Sequence, residues 1–278
     1  VGSEMCIRDR LRGDIMPFGE VFAALRWESH RQYAPAWSPA LGFRRNIGAL
    51  QLQLQWSSNF RPPSFAELYY FNFGNTALQP ERSSTWNLGI EWVPDPWRLR
   101  LDAFWMLVRD QIVAVPRSPV FWSAANVGRV WSRGVELSVS RSLPWLQLQG
   151  ELSWQLVTDQ TANPYTRGRQ LPYVPLIVAA ARSTVVYAPL EATLQLSAIG
   201  ERWSQSDNAP QSWMPPVVLL DGFVHAAFPL SPQSVLRLRI AGRNLLGSSY
   251  ELLRSYPMPG RSLRAEFAIE WRPNAGRE

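Results

Sequence analysis

The 278-residue sequence predicts an all-β protein, a transmembrane antiparallel β-barrel. Three observations predict it. First, apolar and polar residues alternate along segment after segment: Leu50, Leu52, Leu54 and Trp56 form one row, while Gln51, Gln53, Gln55 and Ser57 form the other. Successive side chains of a strand point to opposite faces, whereas a helix, at about 100° per residue, would smear Leu and Gln round its whole surface. Second, these segments run to about nine to twelve residues, the length of a tilted membrane-crossing strand; soluble strands usually run to about five or six. Third, tight turns alternate with long loops, as in a bacterial barrel with turns on the periplasmic side and loops outside. The mean hydropathy of -0.17 is compatible with this, because half of each spanning strand is polar. No run of about 18 uncharged apolar residues is present, so no segment reads as a transmembrane helix.

Twelve strands follow from alternation, with Pro, Gly, Asn and Asp clusters as breaks. The first, about Gly19 to Glu28, sets Val21, Ala23, Leu25 and Trp27 on one face. The second runs from Trp37 to Arg44 with Leu41 and Phe43 outward, and turns at Arg45-Asn46-Ile47-Gly48. The third holds the Leu50–Trp56 row. After a long insertion, Ser58 to Arg82, the fourth covers Ser83 to Val93, presents Trp86, Leu88, Ile90 and Trp92, and turns at Pro94-Asp95-Pro96. The fifth sets Trp97, Leu99, Leu101, Ala103, Trp105 and Leu107 against Arg98, Arg100 and Asp102; a loop is expected from there to Val130. The sixth sets Val135, Leu137 and Val139 against Glu136 and Ser138. The seventh sets Leu146, Leu148, Leu152, Trp154 and Leu156 against Gln147, Gln149, Glu151 and Gln155. A polar loop, Thr158 to Gln170, precedes the eighth, about Tyr173 to Tyr187. The ninth runs from Glu191 to Trp203, and a loop spans Ser204 to Pro215. The tenth sets Val218, Leu220, Val224 and Phe228 against Asp221 and His225. The eleventh sets Leu236, Leu238 and Ile240 against Arg237, Arg239 and Arg243. A last long loop leads to the twelfth, where Leu263, Ala265, Phe267, Ile269 and Trp271 alternate with Arg264, Glu266, Ala268 and Glu270.

Arg and Glu are costly against lipid and comfortable against water. The apolar rows therefore read as lipid surface. Glu91, Glu136, Glu151, Asp102, Asp221, Arg100, Arg237 and Arg239 read as lumen lining. The 14 Trp suit interfacial aromatic belts.

Other functional classes find little support. All 28 basic residues are Arg, and the net charge of +6 is scattered over strands and loops. No basic run or aromatic–basic cluster marks a nucleic-acid site. Cys6 is the sole cysteine, which excludes an internal disulfide and a cysteine zinc cluster. No phosphate-binding loop, dinucleotide fingerprint or hydrolase motif is present, so neither an enzyme nor a cofactor is expected. His30 falls in a loop and His225 on the lumen wall. The start, Val1 to Arg10, lacks the apolar segment and cleavage site of a signal peptide and looks like adaptor-derived sequence. Residues 1–12 are expected to be a non-native or disordered extension, 13–271 the barrel, and 272–278 a tail, with the true start upstream.

Four blocks, in order, resemble TonB-dependent outer-membrane receptors. The first runs from Ser58-Asn59-Phe60-Arg61-Pro62-Pro63-Ser64 through Glu67-Leu68-Tyr69 to Gly74-Asn75, Leu78 and Gln79-Pro80-Glu81. The second is Asn126-Val127-Gly128, and the third is Arg133-Gly134-Val135-Glu136-Leu137. The fourth joins Asn244-Leu245-Leu246, Tyr250, Tyr256-Pro257-Met258-Pro259-Gly260-Arg261 and the strand ending at Trp271. The resemblance implies a roughly 22-stranded barrel round an N-terminal plug, with about 12 strands present here as its C-terminal part and the plug missing. It implies the outer membrane of a Gram-negative bacterium, contact with outer-membrane lipid, and assembly by the barrel-assembly machinery. It also implies coupling to the TonB–ExbB–ExbD complex through the plug. The function implied is energy-coupled uptake of a scarce small molecule or metal chelate, such as a ferric siderophore or a cobalamin. A self-contained 12-stranded porin is the alternative, and an outer-membrane phospholipase a more distant one. Among the loops, Tyr69, Tyr70, Phe71, Phe73, Trp122, Trp203 and Trp213 are the ligand candidates, since aromatic rings stack on or enclose a ligand; the competing role for each is the upper girdle or loop packing.

Overall fold

A computed structural model describes residues 5–15, 18–29, 35–116 and 122–271. Its elements are β1 (Met5–Ile15), β2 (Gly19–Ser29), β3 (Ala36–Ile47), β4 (Leu50–Arg61), the short helix α1 (Phe65–Tyr69), β5 (Glu81–Trp92), β6 (Trp97–Pro116), β7 (Trp122–Ser142), β8 (Leu146–Asp159), β9 (Ile177–Tyr187) and β10 (Leu190–Ile199). There follow β11 (Arg202–Trp203), a 3-10 turn at Pro210–Ser212, β12 (Trp213–Met214), β13 (Val217–Ser231), β14 (Ser234–Arg243), β15 (Glu251–Leu253), β16 (Tyr256–Pro257) and β17 (Ser262–Trp271). Thirteen strands form one sheet in the order β1 to β10, β13, β14, β17. Every pairing in it is antiparallel between strands adjacent in that order. The small pairs β11–β12 and β15–β16 stand apart from it.

Twelve of the thirteen sheet strands are those read from alternation. The thirteenth, β1, pairs with β2 from Ile15↔Gly19 to Met5↔Ser29 and falls largely within residues 1–12, where an extension and no strand is expected. Short turns join β3 to β4, β5 to β6, β7 to β8, β9 to β10 and β13 to β14; long stretches follow β4, β8, β10 and β14. The two kinds of connection thus sit at opposite ends of the sheet. The tail 272–278 and His30 lie outside the described residues.

Three boundaries differ from expectation. The stretch 108–130 is mostly strand: β6 and β7 pair as far as Pro116↔Trp122. Its alternation is lost, in Ile112-Val113-Ala114-Val115, because protein covers this part: Ile112 and Ala124 are buried with Leu78, and Leu68 and Phe73 pack against them. The eighth strand begins at Ile177, after Tyr173 takes a left-handed φ of 61°. The ninth ends at Ile199, and Arg202–Trp203 pairs separately with Trp213–Met214.

The sheet has two unlike faces. Leu41, Leu54, Trp86, Leu88, Trp92, Leu101, Trp105, Leu137, Leu152 and Trp154 are exposed on one. The other is concave, with a pocket of about 460 Å³ lined by Gln53, Gln55, Asn87, Arg100, Asp102 and Glu136, among others. Ion pairs knit this polar wall: Arg100 to Asp102 (2.6 Å), Arg98 to Glu91 (3.3 Å) and Arg237 to Glu270 (2.8 Å). Glycine lets aromatic rings lie flat on it. Phe104 faces Gly134 across β6–β7, and a Cβ there would stand 2.7 Å from the ring. The accessible surface is 18844 Å², against about 12,000 Å² for a compact globular chain of this mass. Among the described residues no second layer packs on the exposed apolar face, and the buried cluster is the small one round Leu78, Ile112 and Ala124. The sheet is also open, with β1 and β17 as its edges.

Candidate ligand-facing surface

At the end of the long connections, the stretch 62–80 folds into a small braced unit. The bracing starts with Arg61, at the end of β4. Its guanidinium donates to both oxygens of Glu81 (2.8 and 2.6 Å) and to Glu67 (3.1 Å). Ser64 and Glu67 form a reciprocal cap at the start of α1: the Glu67 N–H donates to the Ser64 hydroxyl, and the Ser64 N–H to the Glu67 carboxylate (2.7 Å). Burial alone would raise the Glu67 pKa, but the bonds from Arg61 and Ser64 outweigh it and hold the carboxyl below its ordinary value. Glu81 also accepts the Ile112 N–H (2.6 Å).

Two asparagines then tie the unit to the β6–β7 hairpin. Asn75 Nδ2 donates to the Ala124 carbonyl (3.1 Å). Asn126 accepts the Gln79 N–H (2.8 Å) and donates to the Gln79 carbonyl (2.9 Å). The residues that carried the resemblance over 58–81 are thus mostly structural: they hold the loop in place.

On this unit Tyr70 and Phe71 are 68 % and 83 % exposed, and Tyr69 packs at a tilt against Phe65, ring centres 5.0 Å apart. Phe73 is turned inward against the Leu78–Ile112–Ala124 cluster. Trp122 stands exposed at the tip of β7.

Trp203 and Trp213 belong to a second unit, where they are direct partners across β11–β12. Trp213 Nε1 donates to Glu201 (3.1 Å), and its carbonyl accepts from Arg254 of the next loop (3.2 Å). Arg202, next to Trp203, is buried, and it reaches the carbonyls of Glu251 (2.5 Å) and Pro215 (3.4 Å). Burial pushes this guanidinium below its usual pKa; the charge of Tyr173 works in the opposite sense. Asn244, in a left-handed conformation, fixes the following loop: its side chain donates to the Ser248 carbonyl (2.8 Å) and accepts the Ser248 N–H (2.9 Å), while its own N–H donates to Asp221 (2.8 Å). Between the two loops lies a groove of about 780 Å³ lined by Trp213, Pro215, Tyr250, Glu251, Arg254 and Pro257, among others.

The seven aromatics therefore fall in two places. Tyr69, Tyr70, Phe71, Phe73 and Trp122 lie on the 62–80 loop and the hairpin beside it; Trp203 and Trp213 lie on the β11–β12 unit. Sequence reasoning missed Arg202, Tyr250 and Arg254. Nothing in the pattern separates Arg202 from the other arginines, because its partners are backbone carbonyls. On the concave wall His225 lies between Glu191 and Arg239 in register, and its Nε2 has no hydrogen-bond partner among the described residues.

The sequence matches the family described as TonB dependent receptor-like, beta-barrel over residues 17–245. The chain belongs to that family. Barrels of this family are outer-membrane proteins of Gram-negative bacteria, so the exposed apolar rows face lipid and the long connections face outside. Solved structures with the same fold include the copper transporter OprC (TM-score 0.77, 15 % identity, covering 96 % of this chain and 47 % of that one). The siderophore receptor PirA from Acinetobacter baumannii gives 0.74 and 17 %, covering 96 % and 45 %. The FrpB iron transporter from Neisseria meningitidis gives 0.71 and 14 %, covering 96 % and 45 %. This chain thus spans less than half the length of each.

Proposed function

We propose that this chain forms the ligand-facing part of a receptor for energy-coupled uptake of a scarce metal chelate, with a ferric siderophore as the favoured class. Further strands of the same barrel close its two edges, and the TonB–ExbB–ExbD complex supplies the energy. The reading rests on the family match over residues 17–245. The structural neighbours are a copper transporter, a siderophore receptor and an iron transporter, which favours a metal chelate over cobalamin. The groove adds a chemical reason. Its volume of about 780 Å³ suits a compact ligand. Trp213 and Tyr250 offer flat rings, and Arg254 a cation for a chelate that carries negative charge. Tyr69, Tyr70, Phe71, Trp122 and Trp203 extend the aromatic surface, with Phe73 supporting it from beneath. No covalent step is involved.

The test is uptake of radio-iron, offered as ferric siderophores, by cells expressing the receptor that carries this chain. Uptake is expected to stop when a protonophore collapses the proton-motive force, and Trp213→Ala is expected to weaken ligand binding by about thirtyfold, as for a central aromatic anchor. Uptake indifferent to the protonophore would turn the reading to a passive channel. Unchanged affinity in Trp213→Ala would move the site off this groove.

A further inference from the structure

The register of the sheet gathers three scattered arginines into one row. Arg82 faces Arg109 across β5–β6, and Arg109 faces Arg129 across β6–β7. All three share the face of the apolar rows: Arg82 has the parity of Trp86, Arg109 that of Trp105, and Arg129 that of Trp131. All three are exposed, and among the described residues none is in an ion pair. Like charges directly opposite one another on a sheet repel. The backbone that carries them is held from the other side, where Val108 and Val130 are buried.

The row has a definite height. Four residues toward the membrane lies a second in-register row, Trp56, Trp86, Trp105 and Arg133. Arg133 sits 4.1 Å over the Trp131 ring, which meets Trp105 edge-on at 6.2 Å. Aromatic belts mark the level of lipid headgroups. Four residues of strand span about 13 Å, or about 9 Å of height at a tilt near 45°. The arginines therefore stand in the outer headgroup layer on the lipid side, with Arg82 placed over the Phe60 ring at 5.7 Å.

We propose that Arg82, Arg109 and Arg129 form a binding site for the phosphate groups of an anionic lipid of the outer leaflet. Guanidinium forks pair with phosphate oxygens, often two bonds at a time. A lipid phosphate set between two of these arginines turns their repulsion into attraction to a shared anion. The apolar rows beneath the aromatic row, with Leu54, Leu88 and Leu101 exposed, provide the wall along which acyl chains lie. The site is separate from the groove proposed for ligand uptake, and it stands whether or not that assignment holds.

The experiment uses the intact receptor purified from its own membrane. Native mass spectrometry reads the lipid that stays bound. Thermal unfolding is followed in nanodiscs of zwitterionic lipid alone, with a phosphorylated glycolipid, and with the same glycolipid after phosphatase treatment. The expected result is a bound phosphorylated lipid on the wild type and stabilisation by the phosphorylated form only. Each arginine near an anionic surface is worth about fivefold in affinity, so Arg82→Gln, Arg109→Gln and Arg129→Gln together cut retention by about a hundredfold. Replacement of the three by Lys keeps most of it, and Arg45→Gln, on the same face at the opposite end, leaves it unchanged. Equal stabilisation by the dephosphorylated lipid overturns the proposal without any variant. So does equal stabilisation by inorganic phosphate, or undiminished retention in a folded triple Gln variant.

Discussion

Arg202 is 2 % exposed, and the partners it reaches are the Glu251 and Pro215 carbonyls. Its value lies in linking two loops that are otherwise joined chiefly through Arg254 and Trp213. Arg202→Met keeps the length of the side chain and removes its donors. The change removes two hydrogen bonds to part-buried carbonyls, at a cost of about 1–3 kcal/mol. The expected outcome is faster protease cleavage in 204–209 and 252–255, with the strands below unaffected; unchanged cleavage would mean that Arg202 does not hold the loops together. A residue like this is invisible in the sequence, because backbone carbonyls leave no complementary letter to pair it with. Arg61 is different. Its partners Glu67 and Glu81 are carboxylates, and all three stand in the stretch that resembled the receptor family, although that resemblance gave no hint that their role is to brace the loop.

The strands were the most legible elements, for a physical reason. A wall with lipid on one side and water on the other imposes a two-residue period, and β4, with its Leu–Gln alternation, shows it in pure form. The period fails where both faces meet protein. The outer half of β6–β7 reads as a loop in the sequence because Ile112 and its neighbours are covered by 62–80. The same cover explains why Phe73 could not be told from Tyr70 and Phe71: exposed and packed aromatics look alike until the loop is folded. Ile112→Ala tests the coupling. Removing this buried side chain costs about 2–5 kcal/mol, and the loop should loosen without the barrel wall. Amide exchange should quicken at Ala124 and Asn75, whose N–H groups donate to the Phe73 and Glu67 carbonyls, and stay slow in β8–β10. Equal acceleration in both regions would show that the hairpin and the wall are one cooperative unit.

At the scale of the whole molecule, the open sheet dominates. β17 leaves Leu263, Phe267 and Trp271 exposed on an unpaired edge. Unpaired edges are not tolerated within a bilayer. The 278-residue chain, refolded alone in detergent, is therefore expected to run at the same position on a gel boiled or unboiled, since only a closed barrel resists the detergent. A clear shift between the two lanes would show that these strands close by themselves.

The sorting of connections has a practical corollary for anyone working with living cells. Tyr165, 79 % exposed, lies in the stretch after β8, whereas Pro232 and Gln233 form the tight turn after β13. A short epitope tag grafted after Tyr165 should be stained by antibody on unbroken bacteria. The same tag between Pro232 and Gln233 should stay dark until the envelope is opened. One end of this sheet is an address that immune reagents, phages and neighbouring cells can read, and the other is shielded from all of them.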